Sequence, residues 1–541
     1  MKKRIGKRLV AIALAAVLTG VLAACNPSSE TPSGSPSTQP VSSGGGEVKE
    51  FSYPMEPVTL SINQPAWETD LPNYLKDGHA YWELWTKKTG VTLDCIGGDS
   101  GAYDPSEQFI LMLASGSYPD LMMANWLTFP GGPTSAMNEG YIISLNEYEQ
   151  YFPNLLNVLK TKDGGKYDKD VRTDDGILYN FPCIYDNPAQ HNIGAVVRKD
   201  WLDELGLQVP TTIEECYNVL KAFKEKKNVP APITFENRWL FMENAASALS
   251  SPYEVTYPFY LKDGKVVFGP MEPGYKEFVT EMAKWYKEGL IDPDLPSVDK
   301  KTTQAKFASG EAGICIMQSP NMVNAVTAGQ AENPNYAVTG MPSLVKNKGD
   351  RPMFGDSSNI YSGAFCIGIS SQCKNIEAAC RFLDYFYSEE GIMTYAYGEE
   401  GYSYTMENGK PKFTDLVLNN PDGIDRDAAR FNLCRFYNWP GVVTDTDGHR
   451  ASYVQDVKKV WMDNDADNYL IPPITQTSAE SNLITSKYNS IDTYSREMIT
   501  KFIIGAASID QYDDFINTIK NYGIDQVLEV KQTAYERYLN R

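Results

Sequence analysis

The stretch RKDWLDELGLQVPTTIEECYNVLKAFKEK, residues 198–226, contains a strong helix signal in its second half. Thr212 and Glu215 have the spacing of a capping box, in which each side chain bonds the backbone N–H of the other residue. The apolar residues after this cap recur at helical spacing and form one face: Ile213, Cys216, Val219, Leu220 and Phe223. The stretch therefore predicts an amphipathic helix that starts after Thr212.

On both sides of this helix, short β runs alternate with amphipathic helix patterns. Alternation of this kind is typical of α/β domains, in which helices cover a sheet. We predict strands at 58–63, 91–96, 119–123 and 363–369, and helices at 79–89, 106–114 and 375–388.

The first residues have the organisation of an export signal. Residues 2–8 are basic, and residues 9–22 form an apolar run of signal-peptide length that is too short to span a membrane comfortably. The run ends in Leu-Ala-Ala-Cys25, which resembles the bacterial lipobox, where the cysteine is diacylated and the preceding peptide is removed. The sequence therefore predicts a signal peptide over 1–24 and a lipid anchor on Cys25, because two acyl chains hold a protein durably at a membrane.

A spacer follows the predicted anchor. Residues 25–50 are rich in Pro, Ser, Thr and Gly and contain almost no large apolar side chain. Such a segment cannot bury enough surface to offset its ordering entropy, so we expect a flexible linker. No later run of about 18 apolar residues has the pattern of a membrane span.

The charge of the chain disfavours some partners. The sequence has 69 acidic residues against 49 Lys and Arg residues, a net charge of -20, and residues 1–24 contribute only positive charges. A body this acidic repels nucleic acid and anionic lipid. It also disfavours polyanionic ligands overall, although a local field in a cleft can oppose the field of the whole molecule.

Nine cysteines are present, and removing Cys25 leaves an even number. Cys95, Cys216, Cys366 and Cys380 lie inside apolar runs, where a free cysteine behaves as a small hydrophobic residue. The sequence has no CxxC pair and only three histidines, which argues against a zinc site. We therefore expect mostly unpaired, buried thiols.

A search for catalytic and metal-binding motifs reveals no enzyme signature. The Gly-Asp-Ser-Gly sequence at 98–101 is shared with trypsin-like proteases, but it lacks the rest of their pattern and we interpret it as a tight turn. The GxSxG, HExxH and Walker A motifs are absent from the sequence. Asp463, Asp465 and Asp467 have the 1-3-5 spacing of a calcium loop but lack its glycine and its closing glutamate. We expect no catalytic residue, no metal and no cofactor.

Several segments resemble those of the extracellular solute-binding proteins of carbohydrate-type ABC importers, particularly the large lipoprotein subgroup of Gram-positive bacteria. LASGSYPDL at 113–121 is similar to the family's SGxxPD turn, and DGILYNFP at 175–182 resembles its DGKxYxxP segment. Residues 198–212 are close to its RKDWLDKLGLxxPTT signature. Further landmarks follow in the family's order, so that the resemblance covers about 55–541: 285–292, 307–313, 397–401, 501–505 and 534–538.

This resemblance implies a two-lobed α/β fold of the periplasmic-binding-protein type II class, with the ligand in a cleft between the lobes. Because the family's chain crosses between the lobes more than once, we expect lobe 1 at about 51–190 plus 355–410 and lobe 2 at about 191–354 plus 411–541. In open α/β sheets, ligands lie outside the carboxyl ends of the strands.

The residues that follow the predicted strands suggest a sugar-binding cleft. Sugars present hydroxyl edges and apolar ring faces, so their sites combine aromatic rings with amide or carboxylate groups. The chain has 9 Trp and 34 Tyr. The candidates are residues near predicted strand ends, one acidic-loop residue and one residue of the aromatic cluster at 436–440: Asn63, Trp67, Asn125, Trp126, Arg238, Trp239, Asn359, Tyr361, Glu400 and Trp439.

Together these features predict a monomeric receptor, lipid-anchored at the extracellular face of the cell membrane, that captures an oligosaccharide for ABC permease subunits. A peptide receptor of an ABC importer is one alternative, and it would offer groups for peptide termini. A surface glycan hydrolase is another, and it would need two cleft carboxylates roughly 5–9.5 Å apart. A surface glycan-binding adhesin without a transport role is the third.

Overall fold

The computed structural model describes the chain in the following ranges: 51–63, 80–96, 107–185, 193–356, 361, 363–421, 423–424, 426–435, 438–444 and 452–541. Several sequence predictions lie outside the described residues, namely the signal peptide, Cys25, the linker, the turn at 98–101, Trp67 and Asn359. Within the described ranges, no helix combines the length and the apolar character that crossing a membrane requires. Ser52–Arg541 form one compact unit.

The first half of this unit alternates strands and helices. Its elements are, in order, β1 (Val58–Asn63), α1 (Ala80–Thr89), β2 (Val91–Ile96), α2 (Glu107–Ala114), β3 (Leu121–Ala124), α3 (Gly132–Asn138), α4 (Pro153–Thr161), β4 (Cys183–Tyr185), β5 (Ile193–Arg198), α5 (Lys199–Leu205), α6 (Ile213–Lys226), β6 (Ile233–Thr234), α7 (Glu243–Ser250), β7 (Phe259–Lys262), β8 (Lys265–Phe268) and α8 (Pro273–Lys287).

The second half continues the alternation and ends in helices only. Its elements are α9 (Lys300–Ser309), β9 (Ile314–Gln318), α10 (Ser319–Glu332), β10 (Val338–Met341), β11 (Cys366–Ile369), α11 (Ile376–Tyr385), α12 (Glu389–Tyr397), β12 (Tyr404–Glu407), β13 (Lys410–Phe413), α13 (Asp415–Leu418), α14 (Arg426–Leu433), β14 (Gly441–Val443), α15 (Ser452–Met462), α16 (Ser478–Ile503), α17 (Tyr512–Tyr522) and α18 (Ile524–Leu539).

One sheet has the strand order β11-β3-β1-β2. Strand β1 runs parallel to both β2 and β3, whereas β11 is antiparallel to β3 and pairs Cys366 with Ala124. Because β1 and β3 are parallel, their carboxyl ends, at Asn63 and Ala124, lie at the same edge of the sheet.

A second sheet has the strand order β10-β5-β9-β6. Strand β5 is antiparallel to its two neighbours, and the short strand β6 is parallel to β9. All six residues of β5 are buried, which is expected for a central strand that is covered on both faces.

Each sheet belongs to its own hydrophobic core. The first core combines buried residues between 60 and 184 with others between 361 and 443. The largest core around the second sheet combines residues between 193 and 344 with residues 491–527 of the C-terminal helices. Trp439 and β14 belong to the first core because β14 pairs with β4, whereas the sequence-based boundaries place them in lobe 2. The exact lobe boundaries stay a prediction.

The capping box predicted at α6 is present. The hydroxyl of Thr212 accepts the backbone N–H of Glu215 at 3.1 Å, and the Glu215 carboxylate accepts the backbone N–H groups of Thr211 at 2.9 Å and Thr212 at 3.3 Å. The Thr211 N–H and the Lys348 ammonium lower the pKa of Glu215 to about 2. Four of the five predicted apolar positions are buried in α6, and Ile213 packs partly buried against the same core.

Two predicted elements are shorter than expected. The strand predicted at 363–369 starts only at Cys366, because Phe365 has a φ of 58° that interrupts the extended backbone. The helix predicted at 375–388 ends at Tyr385, and Ser388 then caps α12 by accepting the backbone N–H of Gly391 at 3.0 Å.

Helix α4 receives its N-terminal cap from a distant part of the chain. Asp384 in α11 accepts the backbone N–H of Leu155 at 2.8 Å and that of Asn154 at 3.2 Å. The Asp384 carboxyl is buried, and this burial raises its pKa to about 6 in spite of these hydrogen bonds, which act to lower it. The buried carboxyl therefore joins α11 to α4 inside the first core.

The eight cysteines that follow Cys25 are all free thiols, and seven of them are buried. Burial raises the pKa of Cys183 and of Cys366 to about 12. These observations confirm the expectation of unpaired thiols inside the apolar layers.

Candidate ligand-binding site

Two asparagines predicted to bind ligand lie at the carboxyl edge of the first sheet. Asn63 is 3% exposed, and its amide accepts the backbone N–H of Met123 at 2.8 Å and donates to the Met123 carbonyl at 3.1 Å. The Asn125 side chain accepts the backbone N–H of Leu127 at 3.2 Å. Both amides therefore shape this edge by holding its backbone, and their predicted contact with ligand stays a prediction.

The aromatic candidates of the first core are packed inside it. Trp126 is fully buried, with its ring 5.8 Å from Phe109 and 5.6 Å from Phe129. Tyr361 is 1% exposed, and its hydroxyl is 3.1 Å from that of Tyr179. A ring this buried has no open face on which a sugar could stack in this conformation.

Trp439 also packs in the first core rather than in an open loop. It is 2% exposed, and its ring is 5.1 Å from Trp85 and 5.8 Å from Phe386. Aromatic pairs at such distances stabilise a core beyond the area that they bury. The sequence indicated an aromatic cluster in an open loop here, but Trp439 points into the protein.

The remaining candidates differ from one another in exposure. Trp239 is 2% exposed, whereas Arg238 lies on the surface with its guanidinium 4.3 Å from the Trp239 ring centroid and 2.8 Å from Glu236. Glu400 is exposed, in a turn that bridges to Tyr404. Asn63, Asn125 and Trp126 thus share one edge, and no contact of the described residues joins Arg238 or Glu400 to them.

Sequence reasoning missed one buried cation close to this edge. Arg435, directly after α14, is 8% exposed, and its guanidinium carbon lies 5.0 Å from the Tyr395 ring centroid and 5.8 Å from that of Phe431. Its Nε atom is closed off from solvent and has no hydrogen-bond partner. The only sequence signal was a basic residue between aromatic residues, in a chain that is acidic overall.

The acidic stretch with calcium-loop spacing is occupied by a guanidinium. Arg351 lies 2.6 Å from an oxygen of Asp463 and 2.5 Å from an oxygen of Asp465. Among the described residues, no three His, Cys, Asp or Glu side chains converge as metal ligands would.

The C-terminal helix connects the two cores. Tyr538 of α18 donates a hydrogen bond to Asp170, and the Lys169 ammonium lies over the Tyr538 ring at 4.3 Å. Arg541 bonds the Asp174 carboxylate at 2.9 Å and the carbonyl of Arg172 at 2.7 Å. The segment that receives these contacts is anchored in the first core through Tyr167 and Val171, whereas Val527 of α18 belongs to the second core.

Known proteins resemble this chain in sequence and in fold. Residues 66–393 match the family described as "Bacterial extracellular solute-binding protein". The chain belongs to this family. The match confirms the resemblance on which the expected α/β two-lobed fold depends, and the family consists of binding proteins that act outside the cytoplasm.

Individual relatives of this solute-binding protein match over most of their length. It is 23% identical to the "Fructooligosaccharide ABC transporter substrate-binding protein FusA" of Streptococcus pneumoniae over 84% of this chain and 86% of that protein. It is 22% identical to "Lipoprotein LipO" of Bacillus subtilis over 99% of both chains. Among solved structures, alginate-binding protein AlgQ2 matches with a TM-score of 0.71 and 24% identity, over 89% of this chain and 98% of that one. The structural match confirms the two-lobed α/β fold class.

Proposed function

We propose that this solute-binding protein is a lipid-anchored receptor at the extracellular face of the cell membrane, which binds an oligosaccharide and delivers it to ABC permease subunits. The proposal rests on relatives that match over most of their length and are named for the carbohydrates that they bind. FusA is named for fructooligosaccharides and AlgQ2 for alginate. The sequence pattern at Cys25 and the name of LipO support the lipid anchor.

The protein performs no chemistry in this role. The ligand would bind between the two cores. It stabilises the closed arrangement relative to the open one by an amount set by the difference in its affinity for the two arrangements. A permease can then distinguish the loaded receptor from the empty one. A monomer is sufficient for this mechanism, because both halves of the cleft come from one chain.

A thermal-shift screen of the full chain in detergent tests this function. The panel contains neutral and acidic oligosaccharides, short peptides and calcium. A ligand at 100 times its Kd stabilises its receptor by roughly 2.7 kcal/mol, which raises Tm visibly. We expect a shift with one class of glycan, recovered unchanged after incubation.

Other outcomes of the screen would replace the proposal. A shift with peptides alone would make the protein a peptide receptor with the same fold. Recovery of cleaved glycan would show that the protein is a hydrolase. Binding to immobilised glycan without any association with permease subunits would indicate an adhesin.

A further inference from the structure

Arg435 is a buried charge for which the described residues offer no counter-ion. Only 8% of the residue is exposed, its Nε has no hydrogen-bond partner, and no carboxylate of the described residues pairs with it. An arginine side chain keeps its charge under all ordinary conditions. Burying a charge without a partner is strongly unfavourable, so an arrangement of this kind calls for a specific reason.

A second arginine lies near Arg435. Arg430, which is 5% exposed, lies on the same side with its guanidinium carbon 5.7 Å from the Phe431 ring centroid. Burial raises the pKa of Tyr395 to about 12, and Arg435 and Arg430 both act in the opposite direction. The faces of the Tyr395 and Phe431 rings interact favourably with a cation but cannot neutralise it.

The strand pairing places the chain segment at 181–183 at the carboxyl edge of the first sheet. Ala124, the last residue of β3, pairs with Cys366, and Ile367 bridges to Phe181. The chain after Phe181 therefore runs in the direction of β3 and leads to the edge at which β3 ends. Ligands of α/β proteins lie outside this edge.

Arg435 lies within electrostatic reach of Cys183, which leads to this edge. Cys183, two positions after Phe181, pairs with Gly441 at the start of β14. Burial raises the pKa of Cys183, and the charge of Arg435 counteracts this effect, so the two side chains are within electrostatic reach of each other.

We infer that the Arg435 guanidinium receives a carboxylate of the bound oligosaccharide, so that the ligand is an acidic sugar chain containing uronic acid residues. This inference rests on the proposed function and specifies its substrate class. A carboxylate matches the planar fork of a guanidinium and would supply the counter-ion that the described residues do not. The acidic surface repels such ligands at a distance, whereas a buried cation binds them at short range, where screening is weak.

Calorimetric titration of the full chain in detergent tests this inference. The probes are tri-uronates, namely trigalacturonate and trimannuronate, and their fully methyl-esterified forms, which keep the size of the sugars but not their charge. We expect at least one acid form to bind at least about 30-fold more tightly than its ester, since a desolvated charge pair has that effect on affinity. Arg435→Gln should abolish this preference, because it removes the charge that distinguishes the acid from the ester.

Two further variants make the result specific. Arg435→Lys should retain part of the preference, because it keeps the charge and loses the planar fork. Arg351→Gln is the matched control: it removes an exposed arginine that pairs with Asp463 and Asp465, and it should leave the preference intact. The comparison of acid and ester on the unmodified chain needs no variant, so the test survives misfolding of Arg435→Gln.

The outcomes separate the inference from the proposed function. Equal affinity for acid and ester, or a preference that persists in Arg435→Gln, would overturn the role of Arg435 and leave an oligosaccharide receptor. Tighter binding of trialanine than of any sugar would assign the carboxylate to a peptide and overturn both. Binding of neutral glycans alone would overturn only the acidic substrate class.

Discussion

Arg537 donates a hydrogen bond from Nε to Asp174 at 2.7 Å, although 363 residues separate them. The same guanidinium reaches Glu480 at the start of α16, with an N–O distance of 2.6 Å. One side chain of the C-terminal helix thus joins a segment anchored in the first core to a helix of the second. We expect this contact to restrain any movement of one half of the protein against the other.

Asp174→Asn should lower the free energy of unfolding by about 1–3 kcal/mol, because it removes the carboxylate that Arg541 bonds and one of the two carboxylates that Arg537 bonds. Urea denaturation measures this change. Asp513→Asn, at a surface ion pair with an 81% exposed aspartate, is the control and should change stability by less than about 0.5 kcal/mol. Equal effects of the two substitutions would mean that the C-terminal contacts contribute no more to stability than a surface ion pair does.

The stabilising contribution of Glu480 should be lost in acid. Burial acts to raise its pKa, but the Arg537 guanidinium and the Thr477 N–H outweigh burial and lower it below the ordinary value of 4.5. A carboxyl whose pKa is lower in the folded protein contributes stability above its unfolded pKa, and this contribution is lost as pH falls through the folded value. Glu480→Gln should therefore be less stable than the unmodified chain at pH 7, and the difference should shrink below about pH 4.5 in thermal unfolding. A constant difference would contradict this assignment.

Asp384 should have the opposite pH dependence. Its pKa rises from 3.8 to about 6 because the carboxyl is buried, so the folded protein retains a proton that the unfolded chain loses. Its contribution to stability is greatest below the unfolded pKa and decreases as pH rises toward 6. In unfolding curves recorded between pH 4 and 7, the unmodified chain should lose stability relative to Asp384→Asn as the pH rises. A stability difference that does not vary over this interval would show that the carboxyl does not titrate there.

Trp439→Ala should destabilise the protein by roughly 3–5 kcal/mol, as expected when a large side chain is removed from a core. Denaturant unfolding measures the loss. Trp439→Phe should recover most of the stability. An alanine variant with normal stability and reduced glycan affinity would instead support the ligand contact that the sequence suggested.

Cys25→Ala should release the protein from the membrane fraction into the medium, because acylation needs the thiol. Fractionation and immunoblotting of cells that carry each form measure the distribution. Cys95→Ala, at a partly buried thiol of the folded body, is the control and should remain with the membrane. Retention of the Cys25→Ala chain would show that another feature holds it there.

The local part of the fold was predictable because its causes are local. The capping box at Thr212 and the buried face of α6 depend on residues within one helix, and sequence spacing identified both. Strands β1 and β2 were predicted with their observed bounds for the same reason. The start of β11 was missed, since the positive φ of Phe365 has no sequence signature in a residue of this type.

The candidate site was less predictable, because burial depends on which distant segments meet. The sequence places Trp439 in an aromatic cluster but does not say that Trp85 and Phe386 will cover it. Arg435 illustrates the same limit. Whether an arginine finds a carboxylate depends on the tertiary structure, and the sequence does not reveal that the described residues offer none to Arg435.

The unpaired thiols give each half of this protein a native chemical label. Cys183, Cys366 and Cys380 lie in the first core, and Cys216 lies in the second. A thiol reacts with an alkylating agent only as an accessible thiolate, so these residues become labelled only when their own half opens. Mass spectrometry after timed alkylation would therefore record the local opening of the two halves separately, with and without ligand, in the unmodified chain. It would also show which half a bound ligand rigidifies more.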